Sequence, residues 1–209
     1  MKKFLIITSC FLLTSCFKIT ERIKHHNDES GEYTLTIDFS QSWFKTKSAI
    51  FLEEVNGVKI PNEQEITQKL ADFKRKAATI DGISNVRTTT NFDDFIFIIN
   101  LDYKNLEALN AVMNSINNQK QQTNFLPNKS GGFVRNTNYP IPKKLGQDPN
   151  KKADLQAATI TAIYSFDKNI QSVGNSRSKL SKNQKTIFLK QNVYDVLQYP
   201  LLMNNSINL

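Results

Sequence analysis

Alternation of apolar and polar residues predicts a β-hairpin near the start of the chain. Residues 33–39 place an apolar side chain at every second position, which is the pattern of a half-buried strand. Residues 17–24 alternate as well, although Glu21 interrupts their apolar side, and a turn-rich segment at 27–31 separates the two stretches. We therefore predict that these two strands pair in antiparallel fashion.

Later stretches predict a second hairpin and several more strands. Residues 83–90 and 95–101 flank a polar turn, and the second of these begins with consecutive apolar residues, as in a strand covered on both faces. Residues 155–166 and 185–190 also alternate and are predicted as strands. The tail at 204–209 is either an edge strand or frayed.

Apolar residues spaced three and four apart predict helices between these strands. The best marked helix starts at Asn62, where Glu65 completes a capping box, and stops at residues 81–82. Two others are predicted from about Gln41 and after Asp102, which we expect to cap the third helix. The residues of the best marked helix that we expect to face the core are Ile66, Leu70, Phe73, Ala77 and Ile80.

Strand pairs separated by helices predict the α+β class. We expect one domain over residues 16–209, with a curved antiparallel sheet built from hairpins and two to three helices packed on one face. Residues 126–152 hold prolines and glycines at short intervals and are predicted as a long irregular loop. Such a loop is either a functional flap or a mobile excursion.

The N-terminus has the layout of a bacterial lipoprotein signal. A basic start is followed by an apolar run of about ten residues, too short to span a bilayer. The run ends in a lipobox-like sequence made of Leu13, Thr14, Ser15 and Cys16. We predict that residues 1–15 are removed and that Cys16 carries the lipid. Cys10 is a formal competitor, but it would leave an apolar run of only about six residues.

Cysteine content and charge agree with an anchored envelope protein. Both cysteines lie in the signal, so no disulfide is expected in the mature body. The formal net charge is +8, and removal of Lys2 and Lys3 lowers it by two, to +6. This charge suits an anionic membrane surface, but a solvated basic surface explains it equally. Nucleic acid is not an expected partner in this compartment.

Candidate catalytic and metal-binding groups are sparse. His25 and His26 are adjacent in a predicted strand, so they point to opposite faces and cannot chelate one metal together. We expect both to be exposed. The sequence has no phosphate-binding loop, nucleophile elbow or paired metal-ligand spacing. We therefore predict a protein that is not an enzyme, with no catalytic residues, no metal site and no cofactor.

Aromatic residues provide one candidate binding site. Packing in a closed core is the ordinary explanation for aromatic side chains on the inner side of strands and helices. The alternative is an apolar pocket between a curved sheet and its helices. The candidate pocket residues are Trp43, Phe44, Phe73, Phe97, Tyr164 and Phe166.

Several stretches resemble the LppM-type bacterial lipoproteins. They are Cys16-Phe17-Lys18-Ile19 followed by residues 31–39, Tyr164-Ser165-Phe166 followed by residues 170–175, and Thr186-Ile187-Phe188. The resemblance is one of strand pattern over much of the mature chain. It implies a small α+β domain with a concave sheet and a lipid- or glycolipid-binding role.

Together these features predict a lipid-anchored protein of the bacterial envelope that acts as a non-enzymatic binding module. Its expected partners are the membrane, through the N-terminal lipid, and a lipid or other apolar ligand. The alternative is a structural or assembly subunit that binds an envelope protein. We expect the outer membrane, and the periplasmic side rather than the cell surface, because no acidic run follows Cys16.

Overall fold

The computed structural model describes residues 17–52, 54–55, 58–116, 122–137 and 146–209, and only the backbone of residues 54–55 and 58–59. The predicted signal peptide and the lipobox through Cys16 therefore lie outside the described residues, as does the central part of the predicted irregular loop.

Strands outnumber helices in the described part of the chain. The strands are β1 (Lys18–His25), β2 (Gly31–Asp38), β3 (Glu54–Val55), β4 (Val58–Lys59), β5 (Ile83–Asn91), β6 (Ile96–Tyr103), β7 (Phe125–Pro127), β8 (Phe133–Arg135), β9 (Thr159–Phe166), β10 (Ser172–Val173), β11 (Lys179–Leu180), β12 (Thr186–Asn192) and β13 (Asn205–Asn208). The α-helices are α1 (Trp43–Leu52), α2 (Glu63–Ala77), α3 (Leu106–Ile116), α4 (Lys152–Ala157) and α5 (Val193–Gln198). Short 3₁₀ turns occur at Ser40–Ser42, Pro149–Lys151 and Pro200–Met203.

A seven-stranded sheet forms the framework, with the order β11-β12-β9-β1-β2-β6-β5. The two predicted hairpins, β1 with β2 and β5 with β6, are both present and antiparallel. The predicted sheet is entirely antiparallel, but β1 and β9 run parallel. The observed sheet is therefore mixed. The two strands begin at the same end, where the Thr159 amide donates to the Phe17 carbonyl at 3.0 Å. The predicted α+β class is confirmed.

One face of this sheet carries the core. Strand β9 buries every second residue, which are Ile160, Ala162, Tyr164 and Phe166 as the alternation predicts. Helices α2 and α3 and a second, four-stranded sheet cover this inner face. The second sheet has the order β10-β13-β8-β7. Its Phe133 ring packs against Tyr164 at a centroid distance of 5.3 Å, which joins the two sheets in one core.

Three segments differ from their prediction. The stretch predicted as one strand from residue 155 divides into α4 and β9, with Leu155 buried on the helix. The C-terminal tail is neither frayed nor an edge strand, since β13 lies between β10 and β8. Helix α3 is capped by Asn105 rather than Asp102, because the Ala108 amide donates to the Asn105 side chain at 2.9 Å.

The segment predicted as irregular contains ordered structure at both ends. Strands β7 and β8 pair with each other, and β8 also pairs with β13. Gly132 permits this approach, because a Cβ there would collide with the Ile207 carbonyl. No helix in the described ranges is long and apolar enough to cross a membrane.

Candidate functional site

An apolar cleft of about 820 Å³ lies between α1, α2 and the ends of β2 and β6. The sheet contributes Ile37, Phe39 and Phe97 to its lining, and α1 contributes Phe44, Ala49, Ile50 and Leu52. The opposite wall is made by Ile60, Pro61, Ile66 and Leu70. Ligand sites of proteins commonly have volumes of roughly 300–1,000 Å³ and mostly apolar walls. The cleft has the size and the lining of such a site.

The sheet side of the cleft follows from strand register. Ile37 lies opposite Phe97 near the ends of β2 and β6, so both side chains lie on the inner face. Phe39 extends this wall, and its ring packs edge-on against Phe97 at 6.4 Å. Helices α2 and α3 cover the core further along the sheet, whereas α1 has no fully buried residue. The space between α1 and the sheet is therefore left open.

The α2 side of the cleft is fixed by a capping box. The Glu65 amide donates to Asn62 Oδ1 at 2.9 Å, and the Asn62 amide donates to Glu65 Oε2 at 3.1 Å. These bonds satisfy two backbone donors that a helix start otherwise leaves without partners. The first turn of α2 is thereby held in place, and it presents Ile66 to the cleft.

Positive charge predominates among the ionisable residues of the cleft. Lys45, Lys69 and Lys151 line it together with a single carboxylate, Asp154. Lys45 Nζ lies 3.3 Å from Asp154 Oδ1, which ties α1 to α4 across the cleft. With one lysine paired, the lining retains two further ammonium groups. This composition favours a ligand with an apolar body and a polar or anionic end.

The predicted pocket residues are divided between the cleft and the core. Phe44 and Phe97 line the cleft, and Trp43 lies beside it on the outer side of α1. Phe73 packs against the core from α2. Tyr164 and Phe166 are buried under Phe133, away from the cleft. Sequence reasoning missed Ile37 and Phe39, although both belong to the clearest alternating stretch of the chain.

A buried ion pair lies in the core rather than in the cleft. Arg135 binds Glu21 through two bonds, Nε to Oε1 at 3.0 Å and Nη2 to Oε2 at 2.8 Å, and the Tyr164 hydroxyl also donates to Glu21. The guanidinium packs over the Phe125 ring at 4.4 Å. Glu21 interrupts the apolar side of β1 because its carboxylate has these partners. All three polar side chains are sealed from solvent, so a substrate cannot reach them.

The prediction that His25 is exposed is wrong, since this residue is only 3% exposed. Its Nδ1 lies 2.9 Å from the Tyr103 hydroxyl. Gly31 on β2 leaves room for this contact, because a Cβ there would collide with the Tyr103 ring. Burial, together with the nearby charge of His26, lowers the pKa of His25 to about 4, and burial raises the pKa of Tyr103. The histidine is therefore neutral near pH 7.

His26 follows the last residue of β1 and is partly exposed. Its Nδ1 is 3.1 Å from Asp167 Oδ2, and this hydrogen bond lowers the pKa of the Asp167 carboxyl. The two histidines do not share a site. In the part of the chain that the structure describes, no cluster of three His, Cys, Asp or Glu side chains is placed to bind a metal ion.

Comparison with known proteins gives one distant likeness. Neither a family model nor a curated protein matches the sequence. Among solved structures, the chain is similar to the folded domain of LppM from Mycobacterium tuberculosis, determined by NMR, with 8% sequence identity and a TM-score of 0.42. The alignment covers 87% of this chain and 85% of that one.

Proposed function

We propose that the protein is a lipid-anchored lipoprotein of the bacterial envelope whose cleft binds the acyl chain of a lipid, without catalysing a reaction. The observation that carries this proposal is the apolar cleft of about 820 Å³ between α1, α2 and the sheet. Water in an apolar cleft gains little from its walls, whereas each methylene moved from water into such surroundings contributes about 0.8 kcal/mol.

The charges of the lining support an amphiphile rather than a wholly apolar ligand. Lys69 and Lys151 line the cleft in addition to the Lys45–Asp154 pair. A lipid that places its acyl chain along Ile66 and Leu70 would bring its head group near these ammonium groups. An anionic head group gains attraction there that a neutral hydrocarbon cannot.

The predicted anchor gives the cleft its location. Cys16 directly precedes Phe17, whose carbonyl already accepts a hydrogen bond from β9. A lipid on Cys16 would therefore hold the folded domain against the bilayer with almost no linker. We place the protein at the outer membrane, on its periplasmic side, as the sequence predicts. The binding module would then work where its lipid ligands are.

Mass spectrometry of the gently purified lipoprotein under native conditions tests the ligand. We expect a co-purified lipid on the wild-type protein and its loss in Ala49→Phe, whose larger side chain obstructs the cleft. Ala71→Phe is the matched control, because Ala71 is an exposed alanine on α2 outside the cleft lining. A wild-type protein without lipid, or equal lipid content in both variants, contradicts the proposal. A stable envelope protein captured in place of lipid would instead indicate an assembly subunit.

A further inference from the structure

The outer side of α1 presents large apolar side chains to solvent. Phe51 is 86% exposed, Phe44 is 66% exposed and Leu52 is 63% exposed, and Trp43 lies next to them. We call these four residues the α1 apolar surface. Its members are contiguous, whereas exposed apolar residues on soluble proteins are usually scattered singly. The fold covers part of Trp43, whose ring packs against Phe95 at 6.4 Å, and leaves Phe44, Phe51 and Leu52 mostly exposed.

Helix α1 is apolar on both sides. Ala49 and Ile50 face the cleft, while Phe51 faces outward. The middle of the helix is polar, with Lys45, Thr46, Lys47 and Ser48 in succession, so α1 is not apolar around its whole circumference. The side that carries Phe51 has no covering within the described residues, so it is free to contact a partner outside the fold.

The charges on α1 indicate what that partner is. Lys45 and Lys47 are its ionisable residues, and it contains no acidic residue. Lys47 Nζ lies 4.6 Å from the centre of the Trp43 ring, within the α1 apolar surface. A lysine among exposed aromatic and leucine side chains suits the interface of an anionic bilayer, because the ammonium group can meet the head groups while the apolar side chains enter the layer below them. Two copies of this surface packed together would instead bring like charges face to face.

The position of α1 agrees with the same partner. Phe17 packs against Phe39 at a ring distance of 5.6 Å, and Phe39 leads directly into the 3₁₀ turn before α1. The chain that comes from Cys16 therefore enters the fold beside α1. A lipid on Cys16 would hold this end of the domain at the membrane, within reach of the α1 apolar surface.

We propose that α1 lies in the interface of an anionic bilayer and seats its apolar surface among the lipid head groups and upper acyl chains. The proposal rests on the anchoring part of the proposed function and does not require that the cleft bind a ligand. It also gives the cleft an entrance at the membrane, because Phe44 and Leu52 belong to both the cleft and the α1 apolar surface.

Trp43 is the chain's single tryptophan, so its fluorescence reports on α1 alone. The test uses the intact lipoprotein reconstituted in vesicles of phosphatidylethanolamine and phosphatidylglycerol whose acyl chains carry bromine near the head group. We expect bromine to quench most of the Trp43 fluorescence, with a blue-shifted spectrum. Phe51→Glu should remove most of this quenching. Leu201→Glu, at a 73% exposed position outside α1 on the Pro200–Met203 turn, should leave it unchanged.

The Ala49→Phe variant separates this proposal from ligand binding, since a brominated lipid in the cleft would also lie near Trp43. Quenching that persists in Ala49→Phe comes from the bilayer and supports the seating of α1. Quenching that is lost in Ala49→Phe but kept in Phe51→Glu comes from a cleft-bound lipid and overturns the proposal that α1 lies in the bilayer interface. A Trp43 that is quenched by aqueous iodide but not by bromine also overturns it. If neither iodide nor bromine quenches Trp43 and the protein has twice its monomer mass, the proposal is also overturned, because a second copy of the chain then covers α1.

Discussion

Glu21 and Arg135 place two opposite charges inside the core, where each depends on the other. The carboxylate receives both guanidinium bonds and the Tyr164 hydroxyl, so its oxygens are well satisfied. Removing charges from water is costly, and the pair is tolerated because its geometry is bidentate. The pair also joins β1 of the large sheet to β8 of the small one.

Glu21→Gln should therefore be strongly destabilising. It leaves the Arg135 guanidinium buried without its counter-charge, which typically costs about 3–5 kcal/mol. The matched control is Glu32→Gln, which removes the exposed Lys24–Glu32 pair and should cost less than about 1 kcal/mol. Urea unfolding at pH 7 measures both. Equal stabilities for the two variants would contradict this view of the core.

His25 should make stability depend on pH. Its folded-state pKa is about 4, below the ordinary value of 6.5, so the unfolded chain takes up the proton first as the pH falls. Stability is then complete above pH 6.5 and declines toward pH 4, by a total on the order of 3 kcal/mol. His25→Gln should flatten this decline in urea titrations, whereas His26→Gln should keep most of it, because burial is the larger cause of the shift. An identical pH profile for wild type and His25→Gln would refute the assignment.

At the scale of single elements, α2 forms one wall of the cleft and begins at its capping box. Asn62→Ala removes the side chain that accepts from the Glu65 amide, and loss of such a cap typically costs about 1 kcal/mol. Gln64→Ala, at an exposed position of the same turn, is the control and should change stability little. Thermal unfolding compares the two. A cap variant as stable as the control would show that packing alone holds the start of α2.

Elements with a complete local signal could be predicted from the sequence. A short continuous stretch of sequence carries the signal for each of the two hairpins, for the capping box of α2 and for the buried face of β9. The β1–β9 pairing could not be predicted, because the strands are far apart in the chain and alternation does not specify a partner. The burial of His25 was missed for a related reason. His25 continues the alternation of residues 17–23, but the space beside Gly31 that accepts the Tyr103 hydroxyl is a tertiary feature.

Some of the residues that line the cleft were predicted from the sequence, but the position of the cleft in the fold could not be predicted. Phe44 and Phe97 were recognised as pocket candidates, but so were Tyr164 and Phe166, which pack in the core. Composition does not distinguish an aromatic residue that lines a cavity from one that fills it. The difference arises because the small sheet covers β9, whereas α1 stands away from the ends of β2 and β6.

For the whole molecule, three features lie at one end of the large sheet. They are the start of β1, which follows Cys16, the cleft, and the α1 apolar surface. Phe17, Phe39 and Phe97 connect them through successive ring contacts. An anchor at this end would bring the cleft and α1 to the membrane together, which is the arrangement that lipid capture from a bilayer requires.

Cys16→Ser tests the anchor. We expect the variant to lose metabolic labelling with a palmitate analogue and to leave the membrane fraction, because residue 16 then has no thiol to carry the lipid. Cys10→Ser is the matched control and should be labelled like the wild type. Labelling that survives Cys16→Ser, or is lost in Cys10→Ser, would disprove the assignment of the anchoring cysteine.

The occupancy of the cleft is tested most directly by photocrosslinking. The intact lipoprotein is incubated with a phosphatidylglycerol that bears a photoreactive group within its acyl chain, and the labelled residues are identified by mass spectrometry after digestion. We expect labelling of the inner lining, at Ile66 and Leu70 of α2, and its loss in Ala49→Phe but not in Ala71→Phe. Labelling confined to exposed residues, or unaffected by Ala49→Phe, would contradict the claim that the cleft binds lipid.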